Sequence, residues 1–127
     1  MKTYNSSSDL PSKLAIFPLT GAVLFPQTQL PLNIFEPRYL QMINEVLSSP
    51  ERIMGMIQPN LSKNDTNSKN LKKVGCAGRI SSFSETGDGR YLVTLTGLIR
   101  FEINNELDTT TQYRQVIADY DNYKEDL

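Results

Sequence analysis

Histidine and tryptophan are absent from this chain of 127 residues, and cysteine occurs once, as Cys76. Without histidine, neither a Ser-His-Asp nor a Cys-His arrangement can be built, and the commonest general base near neutral pH is missing. A single cysteine excludes an internal disulfide, and with no imidazole beside it there is no ligand set for a thiolate metal site. These shortages point to a reducing, cytoplasmic setting and to a protein that works without metal or cofactor. Residues 1–12 are polar and lack the apolar run of a secretory signal, and nothing later reaches the length of a membrane span. They read as a flexible N-terminal tail, and no membrane partner is expected.

Charge of either sign is not in surplus. Thirteen Lys and Arg face fourteen Asp and Glu, a net charge of −1, so there is no global attraction to nucleic acid or an anionic membrane. The distribution is nevertheless uneven. Lys63, Lys69, Lys72 and Lys73 stand against Asp65, whereas Glu102, Glu106, Asp108, Asp119, Asp121, Glu125 and Asp126 crowd the C-terminal quarter. Two solvated faces account for this pattern.

What is present is a series of short apolar runs punctuated by proline and glycine. Leu14-Ala15-Ile16-Phe17 reads as a strand closed by Pro18, and Ala22-Val23-Leu24-Phe25 as a second that stops at Pro26. In Leu30-Pro31-Leu32-Asn33-Ile34-Phe35, Leu30, Leu32 and Ile34 alternate with Pro31, Asn33 and Phe35; Pro31 makes this an edge strand, since it has no N–H to give a ladder. A helix over 37–47 follows. Pro37 suits its first position, where the missing N–H would have had no partner. Tyr39, Leu40, Ile43, Val46 and Leu47 form its apolar stripe, and Glu36 is expected to serve the free N–H groups of the first turn.

Arg52-Ile53-Met54-Gly55-Met56-Ile57 reads as a buried strand whose methionines fill the core or line an adaptable groove. Residues 59–73 are polar, almost without apolar anchors, and read as a mobile loop. Beyond them Val74, Cys76 and Ile80 share one strand face. Thr86-Gly87-Asp88-Gly89-Arg90 is a hairpin turn whose glycines accept positive φ. Tyr91, Val93, Leu95, Gly97, Ile99, Phe101 and Ile103 then hold one face, with a bend at Gly97. A last strand turns Val116, Ala118 and Tyr120 inward, and residues 121–127 read as an acidic tail.

Chemistry-bearing residues are few. Cys76 sits in an apolar strand pattern and reads as a small core residue. Gly87-Asp88-Gly89 leads into a strand, so its amides do not converge on a phosphate as a helix start would make them. Arg38 is placed to clamp the helix start. Arg100, alternating with Ile99 and Phe101, points away from the core toward Glu102 or a cross-strand acid.

The series Leu14-Ala15-Ile16-Phe17-Pro18-Leu19, Val23-Leu24-Phe25-Pro26, residues 30–39, Val74-Gly75-Cys76, Asp88-Gly89-Arg90-Tyr91 and Gly97-Leu98-Ile99-Arg100-Phe101 resembles the N-terminal substrate-binding domain of the Lon protease family, most closely its bacterial stand-alone form. The resemblance covers about residues 13–120. Its signature is Glu36, Pro37, Arg38 and Tyr39, with Gly97 and Arg100. It implies a mainly β (α+β) fold, a PUA-like pseudo-barrel of mostly antiparallel strands with one main helix. It also implies a non-enzymatic module that recognises unfolded or tagged polypeptides, with a protease or chaperone as further partner. The stand-alone proteins usually continue into a helical segment, which would mark this chain as trimmed or minimal. For the binding surface the expectation is Phe25, Leu30, Leu32, Phe35, Met54 and Met56. The alternative is a PUA-like RNA-binding domain using the basic region from Lys63 to Arg79, against which the balanced charge argues. An enzyme acting with Asp, Glu or Lys alone is a third reading.

Overall fold

The alternating runs become six strands in the computed structural model, which describes residues 9–60 and 71–127. These are β1 (Lys13–Pro18), β2 (Gln29–Ile34), β3 (Ile53–Ile57), β4 (Val74–Glu85), β5 (Tyr91–Glu106) and β6 (Arg114–Asp119), with α1 (Pro37–Ser48) after β2 and a 3-10 helix (Asp121–Asp126) after β6. Strand order is β2-β5-β4-β3-β1-β6, and β6 also pairs with β5, so five strands close a ring and β2 lies outside it. Only β1 and β3 run parallel; the other neighbours are antiparallel.

The ring closes because β5 pairs along one edge with β4 and shares its other edge between β2 and β6. Its first half pairs with β2, Tyr91 opposite Ile34 through Thr96 opposite Gln29, and its last residues pair with β6. Between them Gly97 faces Gly78 but Ile99 faces Ala77, leaving Leu98 as one residue too many. An unpaired extra residue turns the following side chains to the other face of the sheet. Val93 and Leu95 therefore belong to an outer core, while Ile99 and Phe101 fill the inside of the ring. The uniform alternation from Tyr91 to Ile103 is thus divided between two cores.

The ring interior is packed by Leu14, Ile16, Ile53, Ile57, Ala77, Ile99, Phe101 and Val116, with at least one residue from each of the five ring strands. The outer core lies between the sheet and α1. Tyr39, Met42, Ile43 and Val46 of the helix meet Phe17, Ile34, Met54, Met56, Val93 and Leu95. Met42 completes the stripe, and Leu40 and Leu47 are only half-buried at its margin. All five residues of β3 are buried, because it serves both cores.

Several local expectations are corrected. Ala22-Val23-Leu24-Phe25 forms no strand; Leu24 alone is buried, and Val23 and Phe25 project outward. Only Gly89 of the hairpin glycines has positive φ, at 85°. The expected tail over 1–12 falls partly outside the described residues, but Leu10 is buried and Ser12 and Pro11 accept hydrogen bonds from Ala118 N–H at 2.7 Å and Tyr120 O–H at 2.5 Å. Residues 61–70 of the expected mobile loop lie outside the described residues. Its flanks are paired, with Pro59 bridging Leu71 and Lys72 N–H donating to the Gln58 carbonyl at 2.9 Å. Residues 121–126, expected as an acidic tail, form the 3-10 helix, whose Tyr123 packs against the ring core.

Candidate functional site

Two clefts flank residues 20–25, which cross the outside of the sheet between β1 and β2. The larger, about 550 Å³, runs along Pro31, Leu32, Asn33, Ile34, Phe35 and Glu36 and is walled on the other side by Phe17, Pro18, Leu19, Thr20 and Ala22. It follows one edge of β2. Gly97 donates its N–H to the Thr28 carbonyl at 2.8 Å, so Thr28, and with it Leu30, Leu32 and Ile34, directs its backbone groups to β5. Gln29, Pro31 and Asn33 then direct theirs away, where no strand is paired to β2 among the described residues. Pro31 sits where its missing N–H costs no ladder bond.

The smaller cleft, about 190 Å³, is bordered by Val23, Phe25, Val74, Lys72 and Arg100 and floored by Leu24, Met56 and Cys76. Ala22 belongs to both clefts. What holds residues 25–28 in place is Gly97. Gln27 donates to its carbonyl at 2.8 Å, and a Cβ there would stand 2.0 Å from the Phe25 carbonyl oxygen. The Thr28 hydroxyl donates to that same oxygen at 2.8 Å and accepts from the Phe25 N–H. Gly97 is thus required by the close crossing of two backbone segments, in addition to the change of face at Leu98.

The expected binding residues separate into two groups. Phe25 and Phe35 are 60% and 65% exposed, and Leu30 is half-buried. Met54 is fully buried and presents nothing to a ligand; Met56 and Leu32 are nearly so and contribute only cleft floor. The methionines are interior because β3 lies in the middle of the sheet, between β4 and β1. Val23, Val74 and Lys72 were not among the expected residues. Their only trace in the sequence is an apolar run between Gly21 and Pro26 too short for a hairpin partner, and a valine directly after two lysines.

Glu36, Arg38 and Tyr39 line the larger cleft and Arg100 the smaller, and each also makes contacts within the fold. Glu36 occupies the N-cap in extended conformation, and its backbone carbonyl accepts from Tyr39 and Leu40, both at 2.9 Å. Its carboxylate caps no N–H, contrary to expectation, and lies 3.4 Å from Arg38. The Arg38 guanidinium also sits 4.7 Å from the Tyr39 ring, which in turn packs on Phe17 at 4.4 Å. Arg100 pairs with neither Glu102 nor a cross-strand acid. Both arms of its fork donate to Asp126 at 2.9 Å, and its guanidinium covers Tyr123. Glu102 instead accepts from Asn122 and Tyr123 and pairs with Lys73.

The remaining reactive groups are quiet. Burial pushes the Cys76 thiol up to about 12, far from a nucleophilic thiolate. The Thr86 hydroxyl donates to Asp88 and lowers its pKa, which accounts for that acid within its turn. No group of three or more His, Cys, Asp and Glu side chains among the described residues gathers as metal ligands. No helix of the described residues is long and apolar enough to cross a membrane.

The fold is that of the Lon N-terminal domain protein from Xanthomonas campestris, with a TM-score of 0.66 at 22% identity over 87% of this chain and 60% of that one. The N-terminal domain of Mycobacterium avium complex Lon protease follows at 0.65 and 11% identity, covering 85% and 54%. Residues 13–127 match the family model for the ATP-dependent protease La (LON) substrate-binding domain, and the chain belongs to that family. Lon protease 2 of Sorangium cellulosum is 30% identical over 111 residues, which are 83% of this chain and 14% of that protein. Lon protease of Parabacteroides distasonis is 33% identical over 100 residues, 79% of this chain and 12% of its own length. The chain thus spans about one seventh of the curated relatives it matches.

Proposed function

We propose that this chain is a non-enzymatic polypeptide-binding module that holds an extended, non-native segment in the larger cleft, without ATPase or protease activity of its own. The observation that carries the reading is the cleft's course along six consecutive residues, 31–36, at an unpaired strand edge beside an exposed phenylalanine. An incoming extended segment meets outward carbonyl and N–H groups of Gln29 and Asn33, which give affinity without regard to sequence. Apolar surface at Phe35, Leu19 and Ala22 rewards the side chains that only an unfolded client exposes.

Membership of a substrate-binding family supports this reading. RNA binding has no comparable support: Lys73 is engaged by Glu102, and Arg79 lies six residues further on, about 20 Å along an extended chain. Suppression of aggregation of a chemically unfolded client is the test. The protein is expected to suppress it, and Phe35→Asp, at an exposed position, to lose at least about half of that effect while keeping its melting temperature. Activity no greater than that of an inert protein of equal size contradicts the reading.

A further inference from the structure

Six large apolar side chains are exposed among the described residues, and three of them, Val23, Phe25 and Val74, border the smaller cleft. They come from two segments about fifty positions apart in sequence, brought together where residues 20–25 pass the start of β4. The cleft's volume of about 190 Å³ exceeds the roughly 150 Å³ at which an apolar protein cavity takes up a benzene ring. It suits one large side chain and is too small for a length of backbone.

Charge then limits which segment fits. Lys72 and Arg100 line this cleft and no carboxylate does, although Asp and Glu outnumber Lys and Arg in the chain. The Arg100 fork is filled by Asp126, and the neighbouring Lys73 is paired with Glu102. Lys72 is exposed and has no ion pair among the described residues. The larger cleft offers no such bias, because its only charges, Glu36 and Arg38, neutralise each other at 3.4 Å.

We propose that the smaller cleft is an anchor subsite for one large apolar side chain of a bound polypeptide, and that Lys72 selects segments in which a side-chain carboxylate adjoins that apolar residue. The proposal rests on the polypeptide-binding reading above and adds a preference to it. Ala22 lines both clefts, so the anchor adjoins the strand-edge cleft across residues 20–25 and one client can reach both.

Fluorescence anisotropy with labelled, unstructured peptides tests it. Three peptides differ only in a central Phe-Asp, Phe-Lys or Ala-Asp pair. Phe-Asp is expected to bind about fivefold more tightly than Phe-Lys, a gap that narrows with salt. Against Ala-Asp the advantage is about tenfold or more. Lys72→Glu should reverse the first preference and Val74→Asp should abolish the second, whereas Phe35→Asp should weaken all three peptides alike. Both cleft positions are exposed, and unchanged far-UV circular dichroism confirms that the variants fold. Equal binding of the three peptides, still sensitive to Phe35→Asp, overturns the anchor and leaves the polypeptide-binding reading standing. No binding of any peptide overturns both. A concentration-dependent dimer that Val74→Asp dissolves assigns the cleft to a second copy of the chain and also overturns the anchor.

Discussion

At the scale of single residues, Gly97 carries the most. The Cα hydrogen that alanine would replace with a methyl group points at the Phe25 backbone carbonyl, so Gly97→Ala must separate residues 25–28 from β5. Overpacking of this kind costs about 1–3 kcal/mol. A thermal melt should show the loss, together with disturbance of the Phe25 environment at the smaller cleft. Gly87→Ala is the control. Nothing lies within 4 Å of its added carbon and its φ is not positive, so its effect should stay within about 0.5 kcal/mol. Cys76 makes a second residue-scale prediction. With its thiol pushed up to about 12 and its side chain buried, it should resist a thiol reagent at pH 8 in the folded protein and react only on unfolding. Rapid labelling of the native chain would contradict the assigned packing of the outer core.

Among the elements, the 3-10 helix at Asp121–Asp126 is held to β5 by polar contacts at Arg100 and Glu102. Arg100→Gln removes the fork on Asp126. Amide exchange across residues 121–127 should then quicken by about tenfold or more while the ring strands keep their protection. The pH dependence has a definite sign. The hydrogen bonds from Arg100 hold the Asp126 carboxyl below the ordinary aspartate value, and those from Asn122 and Lys73 hold Glu102 below the ordinary glutamate value. A depressed carboxyl contributes its full share above its unfolded-state pKa, near 4. The contact is therefore intact at neutral pH and is lost as pH falls below about 4 through the lowered values. Exchange at residues 121–127 that is fast at pH 7, or independent of acid, would contradict the contact.

For the molecule as a whole, strands and helix were legible where period and punctuation agreed. Pro31 marked an edge strand, Pro37 a helix start, and the alternation after Tyr91 a long strand. The split of that strand between two cores was not legible. Leu98 looks like any outward position, and only the pairing of Gly97 with Gly78 makes it surplus. The clefts were half legible, since Phe25 and Phe35 read as apolar and sit at the surface, while Met54 reads the same and is buried. Exposure depends on strand order, and the interior place of β3 is a property of the closed ring that no local pattern encodes. Lys72 and Val74 escaped for the same reason, because their partner segment, residues 20–25, comes from a distant part of the chain. Arg100 was legible as outward-facing, but its partner Asp126 lies in a stretch whose composition resembles a solvated tail.

The central claim is that an extended polypeptide lies against the open edge of β2. Amide-resolved NMR titration of the isotope-labelled protein with an unlabelled, unstructured client peptide tests it most directly. The account predicts saturable shifts at the Gln29 and Asn33 amides and at Phe35 and Thr20, new exchange protection at Gln29 and Asn33, and loss of these changes in Phe35→Asp. Shifts confined to other surfaces, or a β2 edge left unperturbed at saturating peptide, would contradict it.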